Sequence, residues 1–282
     1  MIAFLLLVAF PLGAALFTYA FFWYETATGA HRQYLENLSN GKPGRLIMRG
    51  VLSSYFSLLL TCLLYPARFY RKLWQPPGDQ GGSLPPIVLV HGLYHNVSGW
   101  TLYRRWLKAA GFKDVYALGY SSWNQTFHQL VMKLEQVLAE VRERFPDKPP
   151  ILIGHSLGGL VCRACVQSGA DSAKIAGLIT LGTPHQGSKL AALGLGNLAK
   201  SLIYHGPLVE ELETGQAKTD TPCVALYSPV DNMVLPNSAL QTAGAGWIHQ
   251  ETGPVSHVAM LYHRPTAELV IEYLKSMAGA NQ

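Results

Sequence analysis

Residues 151–159 read Ile-Leu-Ile-Gly-His-Ser-Leu-Gly-Gly, and the rest of the chain is understood outward from them. Ile151, Leu152 and Ile153 form a short apolar run of the kind that fills a strand buried on both faces. From Leu157 the sequence continues Leu-Gly-Gly-Leu-Val-Cys-Arg-Ala-Cys, which has the character of a helix. Ser156 therefore stands at a strand-to-helix turn, inside a Gly-x-Ser-x-Gly pattern made with Gly154 and Gly158. Such a turn is sharp and strained, and it lifts the serine Oγ above the end of a sheet. Glycines at 154 and 158 let strand and helix approach without a Cβ between them. The new helix also aims its unpaired amides and positive dipole end at the serine, where negative charge develops during attack on a carbonyl.

The same alternation extends in both directions. Residues 87–91, 115–120, 175–182 and 223–228 are further short apolar runs. Between them lie helical patterns, most plainly over 124–145, where Leu130, Leu134, Val137, Leu138 and Val141 recur at helical spacing ahead of Pro146. Strands alternating with helices predict an α/β fold, a mostly parallel central sheet with helices on both faces. In such sheets reactive residues gather at the carboxyl ends of the strands.

Four more stretches bear on the chemistry. Val90-His91-Gly92-Leu93 follows the first strong strand, and residues 181–188 (Leu-Gly-Thr-Pro-His-Gln-Gly-Ser) follow the strand after the Ser156 helix. Residues 228–236 (Ser-Pro-Val-Asp-Asn-Met-Val-Leu-Pro) follow a later strand, and residues 255–260 (Val-Ser-His-Val-Ala-Met) precede the closing helical pattern. Together with the serine turn, these make the chain from about 86 to 277 resemble the α/β-hydrolase superfamily, its lipases in particular. The resemblance implies a nucleophilic Ser156, an acid at Asp231 and a base at His257, in the chain order that this fold requires. It also implies an oxyanion hole built from the backbone amides of Leu93 and Leu157. Asp220 competes for the acid role but precedes its strand instead of following it. His263 competes for the base role but stands next to the closing helix, beyond the catalytic turn.

The other candidate groups have plainer readings. His91 and His155 are expected to make structural hydrogen bonds around the turn and the oxyanion loop, and His95, His128, His205 and His249 show no paired metal spacing. Cys162 and Cys165 form a C-x-x-C, but mid-helix and without further ligands, which suits buried packing better than redox or metal chemistry. No cofactor, metal or disulfide framework is expected.

Composition places the chain near a membrane. Hydrophobic residues are 49% of the 282 and charged residues only 14%, against roughly 25% charged in ordinary soluble domains. The net charge of +5 is spread without the basic runs that track nucleic acid. Residues 2–24 carry no charge, are long enough to cross the hydrocarbon layer as a helix, and end in an aromatic cluster. They read as a membrane anchor. A cleaved signal peptide is the rival, although no Lys or Arg precedes the run and it exceeds the usual apolar core. A second uncharged segment at about 50–67 suits either a second span or a helix in the interface. Residues 1–74 thus read as a membrane unit, 75–86 as a Pro- and Gly-rich linker, and 87–282 as the catalytic domain. Basic residues do not fix the orientation, since four between the apolar segments face three after them; free cysteines lean toward the reducing, cytoplasmic side.

Residues 188–219 form an insertion rich in leucine, which in lipases corresponds to a helical lid over the acyl pocket. The expectation is a membrane-anchored serine esterase or lipase acting on acyl esters of lipids. An acyltransferase, a thioesterase or amidase on the same triad, and a non-catalytic membrane scaffold are the alternatives.

Overall fold

Strands β1 (Ile87–Val90), β2 (Val115–Leu118), β3 (Ile151–His155), β4 (Gly177–Leu181), β5 (Cys223–Tyr227) and β6 (Trp247–Glu251) form one sheet in the computed structural model. It describes residues 1–27, 29–70, 74, 82–168, 175–215 and 220–279. The order is β2-β1-β3-β4-β5-β6 and every neighbouring pair is parallel. β1 to β5 fall inside the apolar runs of the sequence. β6 has no such run: Trp-Ile-His-Gln-Glu is an edge strand with partly exposed residues, so nothing forces it to be apolar on both sides.

Alternation along each strand divides the core into two layers. Ile87, Leu89, Ile151, Ile153, Ile179 and Leu181 meet Tyr103 and Leu107 of α4 (Thr101–Ala109) and Val270 and Leu274 of α9 (Arg264–Gly279). Val88, Val90, Leu152 and Leu178 meet α5 (Phe127–Arg144) and α6 (Leu157–Gln167). Leu130, Leu134 and Leu138 of α5 are buried at helical spacing, each worth about 1.5–3 kcal/mol of transfer from water. α5 starts at Phe127, later than the sequence pattern suggests, because Thr126 and Gln129 close a capping box there.

The crossover direction reverses where β1 meets β3. The loops leaving these two strands therefore diverge and open a crevice at their carboxyl ends. Ser156 follows β3 and Leu93 follows β1, so the sheet order itself brings the two together.

The N-terminal region consists of α1 (Ile2–Ala27), α2 (Ala30–Leu38) and α3 (Pro43–Leu64). α3 begins seven residues before the uncharged segment does. Pro43 is favoured in a first helical turn, and Arg45 and Arg49 are tolerated in a helix whatever their charge. The helix ends ahead of Pro66, whose ring disfavours helical geometry in the residue before it. Two segments, Leu5–Ala27 and Pro43–Phe69, are long and apolar enough to cross a membrane, with mean hydropathy 2.1 and 1.6. α1 and α3 pack closely: a Cβ on Gly50 would lie 2.2 Å from the Tyr19 hydroxyl, the close approach that small residues permit between apolar helices.

These helices do not hang free of the sheet domain. Tyr19, Phe22, Leu35 and Leu46 share one buried cluster with Val230 and Leu235 of the loop after β5. Glu25 pairs with Lys189 at 2.6 Å, and the Thr61 and Tyr262 hydroxyls meet at 3.0 Å. Of the expected linker, residues 75–81 lie outside the described residues. The 188–219 insertion holds a 3-10 turn at Lys189–Leu193, α7 (Asn197–Lys200) and α8 (Pro207–Thr214), and its last residues, 216–219, also lie outside the described part. α8 is fastened by the fully buried Arg163, which pairs with Glu213 at 2.7 Å and donates to the Leu212 carbonyl.

Candidate active site

Ser156 sits at φ 54 and ψ −125, a backbone conformation that side chains other than glycine seldom adopt. Its amide donates to the Leu181 carbonyl at 2.9 Å, and its own carbonyl accepts from Gly159 N at 2.9 Å and from Thr183 Oγ1 at 3.1 Å. Packing holds the strain in place. A Cβ on Gly154 would stand 2.4 Å from Gly159 Cα, and one on Gly158 would stand 2.2 Å from the Val90 carbonyl oxygen. Neither position accepts a side chain without moving backbone.

Asp231 and His257 come from the loops after β5 and β6. The fully buried Asp231 accepts from Met233 N at 2.9 Å and Val234 N at 3.0 Å through Oδ1, while Oδ2 stands 2.7 Å from His257 Nδ1. Because an ionised carboxylate only accepts, the imidazole carries its proton on Nδ1. Nε2 is then left bare as an acceptor. The rivals lie elsewhere: Asp220 is exposed ahead of β5, and His263 Nδ1 is 2.9 Å from the Thr266 hydroxyl at the start of α9.

His257 is also held by a residue that sequence reading passed over. Asn232, fully buried, accepts from His257 N at 3.1 Å through Oδ1 and donates from Nδ2 to Thr18 Oγ1 at 2.6 Å. Nδ2 lies 3.4 Å from Ser54 Oγ as well. Ser256 N, one residue before the base, donates to Ser53 Oγ at 2.8 Å, and Tyr19 Oη donates to the Val230 carbonyl at 2.8 Å. Every one of these partners lies on α1 or α3.

Leu93 lies in a tight turn in which His95 N bonds the Gly92 carbonyl at 3.3 Å and Tyr94 takes φ 58, as the third residue of a type II turn does. His91 anchors this loop. Its Nδ1 donates to the Gly92 carbonyl at 2.9 Å, Nε2 accepts from Tyr120 N, and the ring stacks on Tyr120 at 3.8 Å. The Tyr120 hydroxyl donates to the His91 carbonyl. Leu157 opens α6, so its amide has no carbonyl one turn earlier within the helix. His155 packs its ring 4.7 Å from that of His257 and donates from Nε2 to the His257 carbonyl at 3.2 Å. Burial is the main cause that pushes His91 down to about 3 and His95 to about 4, and it holds His155 well below the ordinary histidine value. These rings are therefore neutral near pH 7 and add no positive charge beside His257.

Ser156 and His257 face a cavity of about 450 Å³. Leu190, Ala191, Leu193 and Leu202 of the insertion form one side, and Met233, Val234 and Val258 another. Phe10, Ala14 and Phe17 of α1 and Leu58 and Cys62 of α3 complete it. Among the described residues no Lys, Arg, Asp or Glu lines this cavity. A crevice of about 630 Å³ beyond Tyr94 and His95 includes Arg68 and Lys133 but neither Ser156 nor His257. Cys162 and Cys165 are buried free thiols in α6, and burial raises both, Cys165 to about 12; neither is reactive as a thiolate near neutral pH. Among the described residues no three His, Cys, Asp or Glu side chains are grouped as metal ligands.

The parallel sheet, the strained serine turn and the loops gathered at its carboxyl edge are those of the α/β-hydrolase fold. Residues 86–219 match the profile of the palmitoyl protein thioesterase family. Over 96 residues the chain is 33% identical to a probable alcohol acetyltransferase of Saccharomyces cerevisiae. That match covers 32% of this chain and 28% of the yeast protein's length. Among solved structures, Aspergillus fumigatus lipase B superposes with a TM-score of 0.61 at 17% identity, over 71% of this chain and 55% of that one. The mature form of a Bacillus licheniformis lipase gives 0.57 at 19% identity, over 71% and 95%. A Paleococcus ferrophilus monoacylglycerol lipase gives 0.54 at 18%, over 68% and 96%. At these identities the likeness to solved structures establishes a shared fold.

Proposed function

We propose that this protein is a membrane-anchored serine hydrolase that cleaves carboxylic esters of lipids through an acyl-enzyme on Ser156. One observation carries the reading: a serine in a strained strand-to-helix turn and a histidine tied to a buried carboxylate open onto the same uncharged, mostly apolar cavity. The helices α1 and α3 supply the anchoring unit within 1–74, residues 87–282 the catalytic domain, and 188–219 its lid. The free cysteines favour a catalytic domain on the cytoplasmic side.

Ser156 Oγ attacks the ester carbonyl carbon while the bare Nε2 of His257 takes its proton. Asp231 keeps the Nδ1 proton in place and stabilises the imidazolium that forms. The amides of Leu93 and Leu157 bind the oxyanion, and each such donor is worth about two to three orders of magnitude in turnover. Collapse of the intermediate breaks the C–O bond to the alcohol, which leaves with the proton from His257. Water, deprotonated by the same Nε2, then attacks the acyl carbon, the bond from that carbon to Ser156 Oγ breaks, the serine takes back the proton from Nε2, and the acid leaves.

Labelling with a fluorophosphonate probe tests the nucleophile. The wild-type protein should label and Ser156→Ala should not; equal labelling of both would remove Ser156 from the mechanism. Thioester cleavage is the second reading, favoured by the palmitoyl protein thioesterase match over residues 86–219. A paired panel of oxygen and sulfur esters with the same acyl chains separates the two.

A further inference from the structure

We propose that α1 and α3 are part of the active site itself: they wall the acyl-binding cavity and admit the lipid's acyl chain from the hydrocarbon layer through a mouth on their outward face. The proposal rests on the hydrolase reading only in taking the chain to belong to an ester.

Ala14 and Phe17 on α1 and Leu58 and Cys62 on α3 line the same cavity as Ser156 and His257. Without these helices the cavity would lack a whole side. Phe10 and Phe17, and Leu193 of the insertion, line the cavity and are also 67%, 53% and 56% exposed. They form a rim where the interior of the cavity meets the outside. From this rim the outward surface stays apolar, through Leu12 and Leu16 on α1 and through Leu52 and Phe56 on α3, all exposed. An apolar rim set in an apolar face of helices with membrane-like hydropathy fits the hydrocarbon of a bilayer. The absence of charged side chains around the cavity among the described residues fits an acyl chain as its occupant.

A tether that merely kept the domain near a membrane would need no contact with the catalytic loops. Here Thr18, Tyr19, Ser53 and Ser54 bond the loops that carry Asp231 and His257. The wall is thus fixed in register with the reacting atoms, as selection by acyl length requires.

The test uses the full chain in detergent micelles and a fluorescent hexadecanoate as probe. In a Ser156→Ala background, Ala14→Trp on one helix and Leu58→Trp on the other should each weaken probe binding by about tenfold, by filling the cavity. Melting temperatures identify any variant that fails to fold, and the second position then decides. Folded variants that bind as well as their parent overturn the wall. For the mouth, Leu16→Asp and Phe56→Asp alter exposed positions that do not line the cavity. They should lower hydrolysis of a long-chain ester held in phosphatidylcholine vesicles by about tenfold or more, while turnover of a soluble butyrate ester changes less than about twofold. Equal loss on both substrates, or none on vesicles, overturns entry from the membrane. Binding is read without catalysis, so a wild-type protein that hydrolyses no ester would defeat the hydrolase reading and leave the wall to be judged by the hexadecanoate alone.

Discussion

Asp231→Asn exchanges one carboxylate oxygen for an NH2 group, and the surroundings of Asp231 dictate which way the new amide points. Met233 N and Val234 N both donate to Oδ1, at 2.9 and 3.0 Å. An asparagine must keep its oxygen there, because turning the NH2 toward these two buried donors would leave both unsatisfied, at about 1–3 kcal/mol each. Its Nδ2 then faces His257 Nδ1 across the 2.7 Å now spanned by the carboxylate bond. Two N–H groups cannot share that gap, so the imidazole moves its proton to Nε2, and that nitrogen can no longer take up the Ser156 proton. Loss of the correct tautomer in such triads costs about four orders of magnitude in kcat, equivalent to about 5.5 kcal/mol of transition-state stabilisation. Steady-state kinetics on a soluble butyrate ester read the loss, and thermal unfolding should show the fold intact, since both backbone bonds survive. A folded variant retaining kcat within tenfold of wild type would refute the tautomer argument and with it the role of Asp231.

Asn232→Ala removes the acceptor of His257 N, whereas Thr18 Oγ1 keeps its bond to the Ala14 carbonyl. The expected outcome is a stability loss of about 1–3 kcal/mol, with kcat lower by about 10- to 100-fold from a displaced base. An unchanged kcat with a lowered melting temperature would make Asn232 structural only. Stability should also depend on acid in a defined direction. Burial lowers His91 to about 3 and His95 to about 4, below the unfolded value near 6.5, so the unfolded chain takes up protons that the folded one refuses. Their contribution is complete above about pH 6.5 and is lost as pH falls toward 4 and then 3. Urea unfolding at a series of pH values measures this, and a flat profile from pH 7 to 4 would contradict it.

The four inner strands β1, β3, β4 and β5 were legible because a strand buried on both faces has to be apolar throughout, and the edge strand β2 because most of its residues are buried as well, whereas the other edge, β6, is partly exposed and escaped notice. The expectation for Ser156, Asp231 and His257 rested on neighbouring segments: Ser156 and Asp231 lie just beyond apolar runs, and His257 lies just before the closing helical pattern. The loops that bear Ser156, Asp231 and His257 carry local motifs, and local motifs survive in one dimension. Asn232 had no such signal. A buried asparagine beside the acid looks like any loop residue until its partners on α1 and α3 are known.

What the sequence determined by itself was local and periodic: apolar runs that become strands, leucines at helical spacing, a serine between glycines, one uncharged stretch long enough for a bilayer and a second, shorter one. Hydropathy described α1 and α3 only as apolar, with no information about what their inner faces touch. Only the tertiary structure decided that Thr18, Tyr19, Ser53 and Ser54 hold the loops bearing Asp231 and His257, and that Ala14, Phe17, Leu58 and Cys62 enclose the cavity at Ser156. The contacts of Thr18 and Tyr19 with residues 230–232 span more than 200 positions of chain. Pairings at that separation are set by how whole elements pack, which no local pattern of residues encodes.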